Sequence, residues 1–119
     1  MSIAGYRLIF LSLVVTVVFL QGICYAGMEE EISHLLLFIE KSECTFVRND
    51  KQYSAANARQ HIERKYNYLK KRINTTDQFI QYSATKSSMS GKPYTVQCKS
   101  KVMNTSEWLY EELDKFRAR

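Results

Sequence analysis

Residues 94–99 read Tyr-Thr-Val-Gln-Cys-Lys, and this stretch decides the fold. Tyr94, Val96 and Cys98 alternate with polar side chains, which is the period of a β-strand with one buried face. Residues 45–48, Thr-Phe-Val-Arg, combine β-branched and aromatic side chains and predict a second short strand. We expect the two strands to pair with each other.

The positions of two cysteines agree with this pairing. Cys44 directly precedes the first strand, and Cys98 lies near the end of the second. Antiparallel pairing places the start of one strand beside the end of the other, within reach of a disulfide bond. The bond would fasten the edge of the sheet and close a loop of about 55 residues, which stabilises a domain by about 4 kcal/mol. Two free thiols are the alternative.

Four helices surround the predicted strands. Apolar side chains recur at helical spacing from Gly27 to about Lys41 and from Ser54 to Ile73, and again in the terminal segment that follows Asn104 or Thr105. A third helix, between these, opens at a capping box formed by Thr75 and Gln78. The sequence therefore predicts an α+β domain, with four helices packed on a small two-stranded antiparallel sheet.

The amino-terminal segment has the features of an export signal. Arg7 is followed by a run, residues 8–20, in which Ser12 and Thr16 are the only polar side chains. Small side chains at Cys24 and Ala26 suit a signal peptidase, so we expect cleavage after Ala26. The mature protein would be a single exported domain, residues 27–119, without a membrane span and monomeric. An uncleaved anchor is the alternative.

Positive charge is concentrated in the middle of the chain. The whole sequence carries 17 Lys and Arg against 12 Asp and Glu. Residues 48–101 contain twelve of the basic residues and three acidic ones, Asp50, Glu63 and Asp77. Such a centre attracts phosphate, carboxylate or an acidic protein surface. The alternative is a solvated helix face with no ligand.

Few motifs indicate catalysis. His61 shares one ridge of the second helix with Lys65, Tyr68 and Arg72, where it could line a groove. No glycine-rich phosphate loop, dinucleotide fingerprint or zinc spacing is present in the sequence. We therefore expect no cofactor and no metal, and export argues against a nucleic-acid partner.

Several blocks of sequence, in one order, resemble the YfeK-like family of small bacterial envelope proteins. They are Phe46-Val47-Arg48-Asn49, the pair His61-x-x-x-Lys65, the stretch from Arg72-Ile73-x-Thr75 to Phe79-Ile80, and Ala84-x-x-Ser87-Ser88-x-Ser90-Gly91-x-Pro93-Tyr94. Where that family's turn reads Asn-Gly, this chain has Asn49-Asp50. The resemblance implies a bacterial periplasmic protein of uncharacterised function and supplies no reaction.

The resembling blocks are mostly polar, and strand pairing could bring them together as one site. The candidate binding residues are Arg48, Asn49, His61, Lys65, Ser87, Ser88, Ser90, Gly91 and Tyr94. Hydroxyl and N–H groups beside Arg and Lys suit an anionic or sugar-like ligand. Alternatively, Arg48 and the serines only tie down the loop.

We assign no catalytic residue. The predicted function is a non-catalytic binding or interaction module whose partner is an anionic envelope component or an acidic envelope protein. The alternative is a small envelope hydrolase that uses His61 with Ser87, Ser88 or Ser90.

Overall fold

The computed structural model describes residues 27–119. The predicted export segment, residues 1–26, lies outside the described residues. The elements follow in the order α1 (Met28–Lys41), β1 (Thr45–Arg48), β2 (Lys51–Tyr53), α2 (Ala55–Leu69), α3 (Thr76–Ser83), β3 (Thr95–Cys98), β4 (Lys101–Asn104) and α4 (Thr105–Arg117). A 3₁₀ turn, Lys70–Arg72, follows α2, so the prediction of one helix continuing to Ile73 is wrong in its last turn.

The sheet has four antiparallel strands in the order β2-β1-β3-β4, and the prediction of a two-stranded sheet is wrong. The predicted pairing itself is confirmed. β1 and β3 are the two central strands, and Phe46 lies opposite Val96. Both of these side chains are buried, whereas Gln97 is exposed, so the helices cover one face of the sheet.

The two strands that the sequence analysis did not predict, β2 and β4, lie at the edges of the sheet, where the sequence signal for a strand is weak. Asn49 and Asp50 adopt φ values of 53° and 64°, the two consecutive left-handed residues of a tight hairpin turn, which places Lys51 opposite Arg48. β2 is then only three residues long and largely polar. β4 exposes Val102 and half-buries Met103, so it lacks a clear apolar face.

The predicted disulfide is confirmed. Cys44 and Cys98 are bonded, with their Cα atoms 4.7 Å apart. The bond joins the ends of the two central strands, so the expectation that it would fasten the edge of the sheet is wrong, because β2 and β4 lie outside it. Both cysteines pack against the buried core.

The core lies between the helices and the covered face of the sheet. Its largest fully buried side chains come from all the helices except α2 and include Leu35, Phe79, Ile80 and Leu109. The predicted N-cap is confirmed, because the Thr75 hydroxyl accepts from the Gln78 backbone N–H at 3.1 Å, but the Gln78 side chain accepts from the backbone N–H of Asn74 and not of Thr75, so the capping box is incomplete. The helical spacing of apolar residues thus predicted the buried faces correctly.

One ion pair, between a buried carboxylate and an exposed arginine, helps to connect three of the helices. Glu31 in α1 accepts two hydrogen bonds from Arg117 in α4, at 2.6 and 3.1 Å. Thr76 at the start of α3 donates its hydroxyl proton to the same carboxylate at 2.6 Å. The hydrogen bonds from Arg117 lower the pKa of Glu31, and the bond from Thr76 adds to this effect although burial opposes it.

Candidate functional site

The candidate site is organised around the hydroxyl of Tyr94, a buried residue just before β3. Its Oη atom lies 3.2 Å from Nε2 of His61 and 3.4 Å from Nζ of Lys65. His61 and Lys65 are four residues apart and share one face of α2. Lys65 also donates to the backbone carbonyl of Lys86 at 2.9 Å. Helix α2 and the loop before β3 are therefore joined at this point.

The protonation of the three groups is set by burial and by neighbouring cations. Burial lowers the pKa of His61, and the positive charges of Arg48, Lys65 and Arg64 lower it further. In a neutral imidazole one ring nitrogen donates and the other accepts, so the tautomer sets the direction of the His61–Tyr94 hydrogen bond, whereas Lys65 only donates to the Tyr94 hydroxyl. Burial also raises the pKa of Tyr94, which keeps the hydroxyl protonated.

Arg48 adds a further positive charge from the end of β1. Its Nη2 atom donates to the Tyr53 hydroxyl at 2.9 Å, and its guanidinium carbon lies 4.8 Å from the centre of that ring. These contacts hold the guanidinium near α2. Burial lowers the pKa of Lys65, and the charges of Arg48 and then Lys86 lower it further. The positive groups therefore repel one another here.

A cleft of about 440 Å³ opens beside this cluster, and we call it the basic cleft. Seven residues line the cleft, three of them cationic and none of the seven acidic. They are Lys65, Leu69, Arg72, Gln81, Tyr82, Lys86 and Ser88. None of the ion pairs formed within residues 27–119 includes Lys65, Arg72 or Lys86. The cleft thus concentrates positive charge that no carboxylate of the described chain neutralises.

A much smaller cavity of about 20 Å³ lies on the inner side of His61 and Tyr94. It has room for about one water molecule. Thr105 lines this cavity, and its fully buried Oγ1 atom has no hydrogen-bond partner among the described residues. A water bound here would satisfy that hydroxyl.

The chain matches one family of known sequences along most of its length. A model of a family of unknown function, DUF5329, matches residues 26–117. The chain belongs to this family. A curated relative, the uncharacterized protein YfeK of Salmonella typhimurium, is 40% identical over 55 residues, which cover 46% of this chain and 46% of that protein. The chain therefore spans about half the length of the curated relative it matches. No solved structure matches it.

Membership of DUF5329 and the similarity to YfeK confirm the predicted YfeK-like family, whose function is unknown. Within residues 27–119, no helix has the length and apolar character needed to cross a bilayer. The same part of the chain contains no group of three His, Cys, Asp or Glu residues placed to hold a metal ion.

The structure divides the predicted site residues into two groups. Arg48, His61, Lys65 and Tyr94 come together, and Ser88 lines the adjoining basic cleft. The remaining candidates form a separate hydrogen-bonded loop: Asn49, Ser87, Ser90 and Gly91.

The separate loop is held by its own side chains. The Ser87 hydroxyl accepts from the Asn49 amide at 3.2 Å and from the backbone N–H groups of Met89 and Ser90. Ser90 donates its hydroxyl proton to Asn49, and Gly91 adopts a φ of 73°, which suits a glycine. These groups connect the β1–β2 turn to the 87–92 loop.

His61 contacts Tyr94 and no serine, so the part of the chain that the structure describes contains no hydrogen-bonded His–Ser pair.

Sequence reasoning missed Lys86, Gln81 and Tyr82 as site residues. Arg72 had a signal, because it lies on the same helical ridge as His61 and Lys65. Lys86 had none, because its position depends on the path of the loop, where it forms a β-bridge with Pro93. The lining of the basic cleft therefore comes from segments that only the tertiary fold brings together.

Proposed function

We propose that this protein is a periplasmic binding module that holds an anionic ligand in the basic cleft. One observation carries the proposal: Lys65, Arg72 and Lys86 face one cleft and form no ion pair within the described residues. An anionic ligand bound there would offset the positive charge of these side chains.

The lowered pKa of Lys65 supports an anionic occupant. Arg48 and Lys86 contribute to this lowering through their charge, after burial. Like charges therefore lie close together around a partly buried lysine, a feature that occurs often at functional sites. A bound phosphate or carboxylate would convert that repulsion into attraction, and the hydrogen bonds would be charge-assisted.

The shape of the cleft favours a small ligand over an acidic protein partner. Small-molecule sites are concave and have volumes of roughly 300–1,000 Å³. At about 440 Å³, the basic cleft lies in this range. Ser88 and Gln81 add hydroxyl and amide groups that could fix the orientation of a ligand.

The disulfide supports the proposed compartment. Cys44 and Cys98 are bonded, and disulfides persist mainly in oxidising compartments such as the bacterial periplasm. The family match begins at residue 26, next to the cleavage site expected after Ala26. We therefore propose that residues 1–26 direct export and are removed.

A phosphate titration at low ionic strength tests the proposal. Inorganic phosphate is added to the oxidised protein, and backbone amide signals of the cleft residues are followed by NMR. The double variant Arg72→Ala with Lys86→Ala should bind phosphate about tenfold more weakly, which corresponds to about 1.4 kcal/mol. Both side chains are exposed, so the fold should be retained.

A matched control removes the same charge elsewhere. Lys71→Ala with Lys115→Ala changes two exposed basic residues that do not line the cleft and should leave the phosphate affinity unchanged. Equal weakening in the two double variants would contradict a specific site. So would the absence of phosphate-induced shifts in the cleft of the wild-type protein.

A further inference from the structure

The basic cleft contains more than positive charge. Tyr82 in α3 lines it and is 44% exposed, so its ring is accessible from the cleft. Leu69 lies on the same wall of the cleft as the cations of α2. Gln81 and Ser88 contribute uncharged hydrogen-bonding groups. The ligand must therefore match an apolar surface and neutral polar groups as well as cations.

The cations are also spread along the cleft. Lys65 lies in the last turns of α2 and Arg72 ends the 3₁₀ turn that follows, a separation of about 12 Å along the helix axis. Leu69 lies between them in sequence, and Tyr82 comes from the neighbouring helix α3. Lys65 is fixed at one end because it donates to the Lys86 carbonyl at 2.9 Å. One phosphate ion cannot contact both ends of this arrangement and the apolar surface between them.

We infer that the natural ligand is an acidic saccharide, a sugar that carries carboxylate or phosphate groups. This inference rests on the proposed function of the same cleft. A sugar ring has an apolar C–H face that packs on an aromatic ring such as Tyr82. Its hydroxyls hydrogen-bond to amide and hydroxyl side chains such as Gln81 and Ser88, and its acidic groups pair with the cations at either end.

Other polyanions match the lining less well. Single-stranded nucleic acids bind by stacking successive bases on several aromatic rings, whereas Tyr82 is the one aromatic residue of the cleft lining. An anionic lipid would need a deep apolar channel for its chains. The apolar part of the lining consists of Leu69 and the Tyr82 ring.

Binding of defined probes to the oxidised protein tests this inference. The acidic sugars are trigalacturonate, which carries carboxylates, and glucose 6-phosphate, which carries a phosphate. The comparison probes are maltotriose, inorganic phosphate and a short oligothymidylate. We expect at least one acidic sugar to bind about tenfold more tightly than inorganic phosphate, and neutral maltotriose to bind more weakly than either acidic sugar.

Two tyrosine variants provide a matched pair. Tyr82→Ala should remove most of the tenfold gain of the acidic sugar over phosphate. Tyr68→Ala changes a ring that is 88% exposed and does not line the cleft, so it should keep the gain. Saturation transfer from the Tyr82 ring protons to the sugar in the wild-type protein gives a second readout that does not depend on the folding of either variant.

Three results would overturn the inference. They are equal affinities for phosphate and both acidic sugars, tighter binding of oligothymidylate than of either sugar, and loss of the gain in Tyr68→Ala as well as in Tyr82→Ala. In each case, phosphate binding that depends on Arg72 and Lys86 would leave the proposed anion site intact. Failure of phosphate binding itself would overturn the proposed function.

Discussion

Removing the disulfide should destabilise the whole domain, because the bond joins the two central strands of the sheet. The perturbation is the double variant Cys44→Ala with Cys98→Ala, which leaves no cysteine in residues 27–119. The two cysteines are 54 positions apart. A loop of this length costs about 4 kcal/mol of chain entropy when the unfolded chain is cross-linked. This is a large share of the roughly 5–15 kcal/mol that stabilises a typical domain.

The assay is denaturant and thermal unfolding of residues 27–119, followed by far-UV circular dichroism. The variant should lose about 4 kcal/mol, and its Tm should fall by about 15–30 °C for a domain of this size. Reductant should move the wild-type protein to the stability of the variant and should not affect the variant. A loss below about 1 kcal/mol would refute the reasoning, as would two titratable thiols in the oxidised wild-type protein.

Three further changes test other parts of the structure by urea unfolding. Glu31→Gln should cost about 2 kcal/mol at neutral pH, since it removes the charge that pairs with Arg117. Because Arg117 lowers the pKa of Glu31, the folded protein binds fewer protons at this carboxylate than the unfolded chain does. The stability of the wild-type protein should therefore fall as the pH drops below about 4.3, and the stability of Glu31→Gln should fall less. Asn49→Ala should lower the free energy of unfolding by about 2 kcal/mol, because alanine is strained in the left-handed backbone and the hydrogen bond to Ser87 is lost. Asn49→Gly should lower it by about half as much, because it loses only the hydrogen bond, and equal losses would contradict this explanation. Thr105→Val should stabilise the domain by about 1 kcal/mol, because it removes an unpartnered buried hydroxyl, and a clear loss would indicate a bound water.

The central part of the fold follows directly from the sequence. Val96 and Phe46 show the alternation of half-buried strands, and the cysteines beside them predicted the pairing that the structure confirms. The edge strands could not be predicted in the same way. Asn49 and Asp50 are residue types that favour a left-handed turn, but β2 after them has only three mostly polar residues and shows no strand alternation.

The candidate site also combines residues that the sequence predicts with residues that only the tertiary fold brings together. His61 and Lys65 were predictable because their spacing places them on one helical face, and Tyr94 because it begins the deciding strand. Ser87 was expected among binding groups, but its hydroxyl is occupied by hydrogen bonds within its own loop and to Asn49. The convergence of cations from α2 and the loop requires the tertiary fold, which local patterns do not specify.

The titration of His61 with and without phosphate tests the anion site most directly. The imidazole lies 3.2 Å from the Tyr94 hydroxyl that Lys65 also contacts. A phosphate bound to Lys65 would therefore lie close enough to change the pKa of His61. Proton NMR should give a His61 pKa below about 6.5 in the free protein, and phosphate should raise it by offsetting the positive charges. The His34 signals, next to Glu112 and Phe116, should not respond to phosphate. A His61 pKa that phosphate leaves unchanged would contradict an anion site at Lys65.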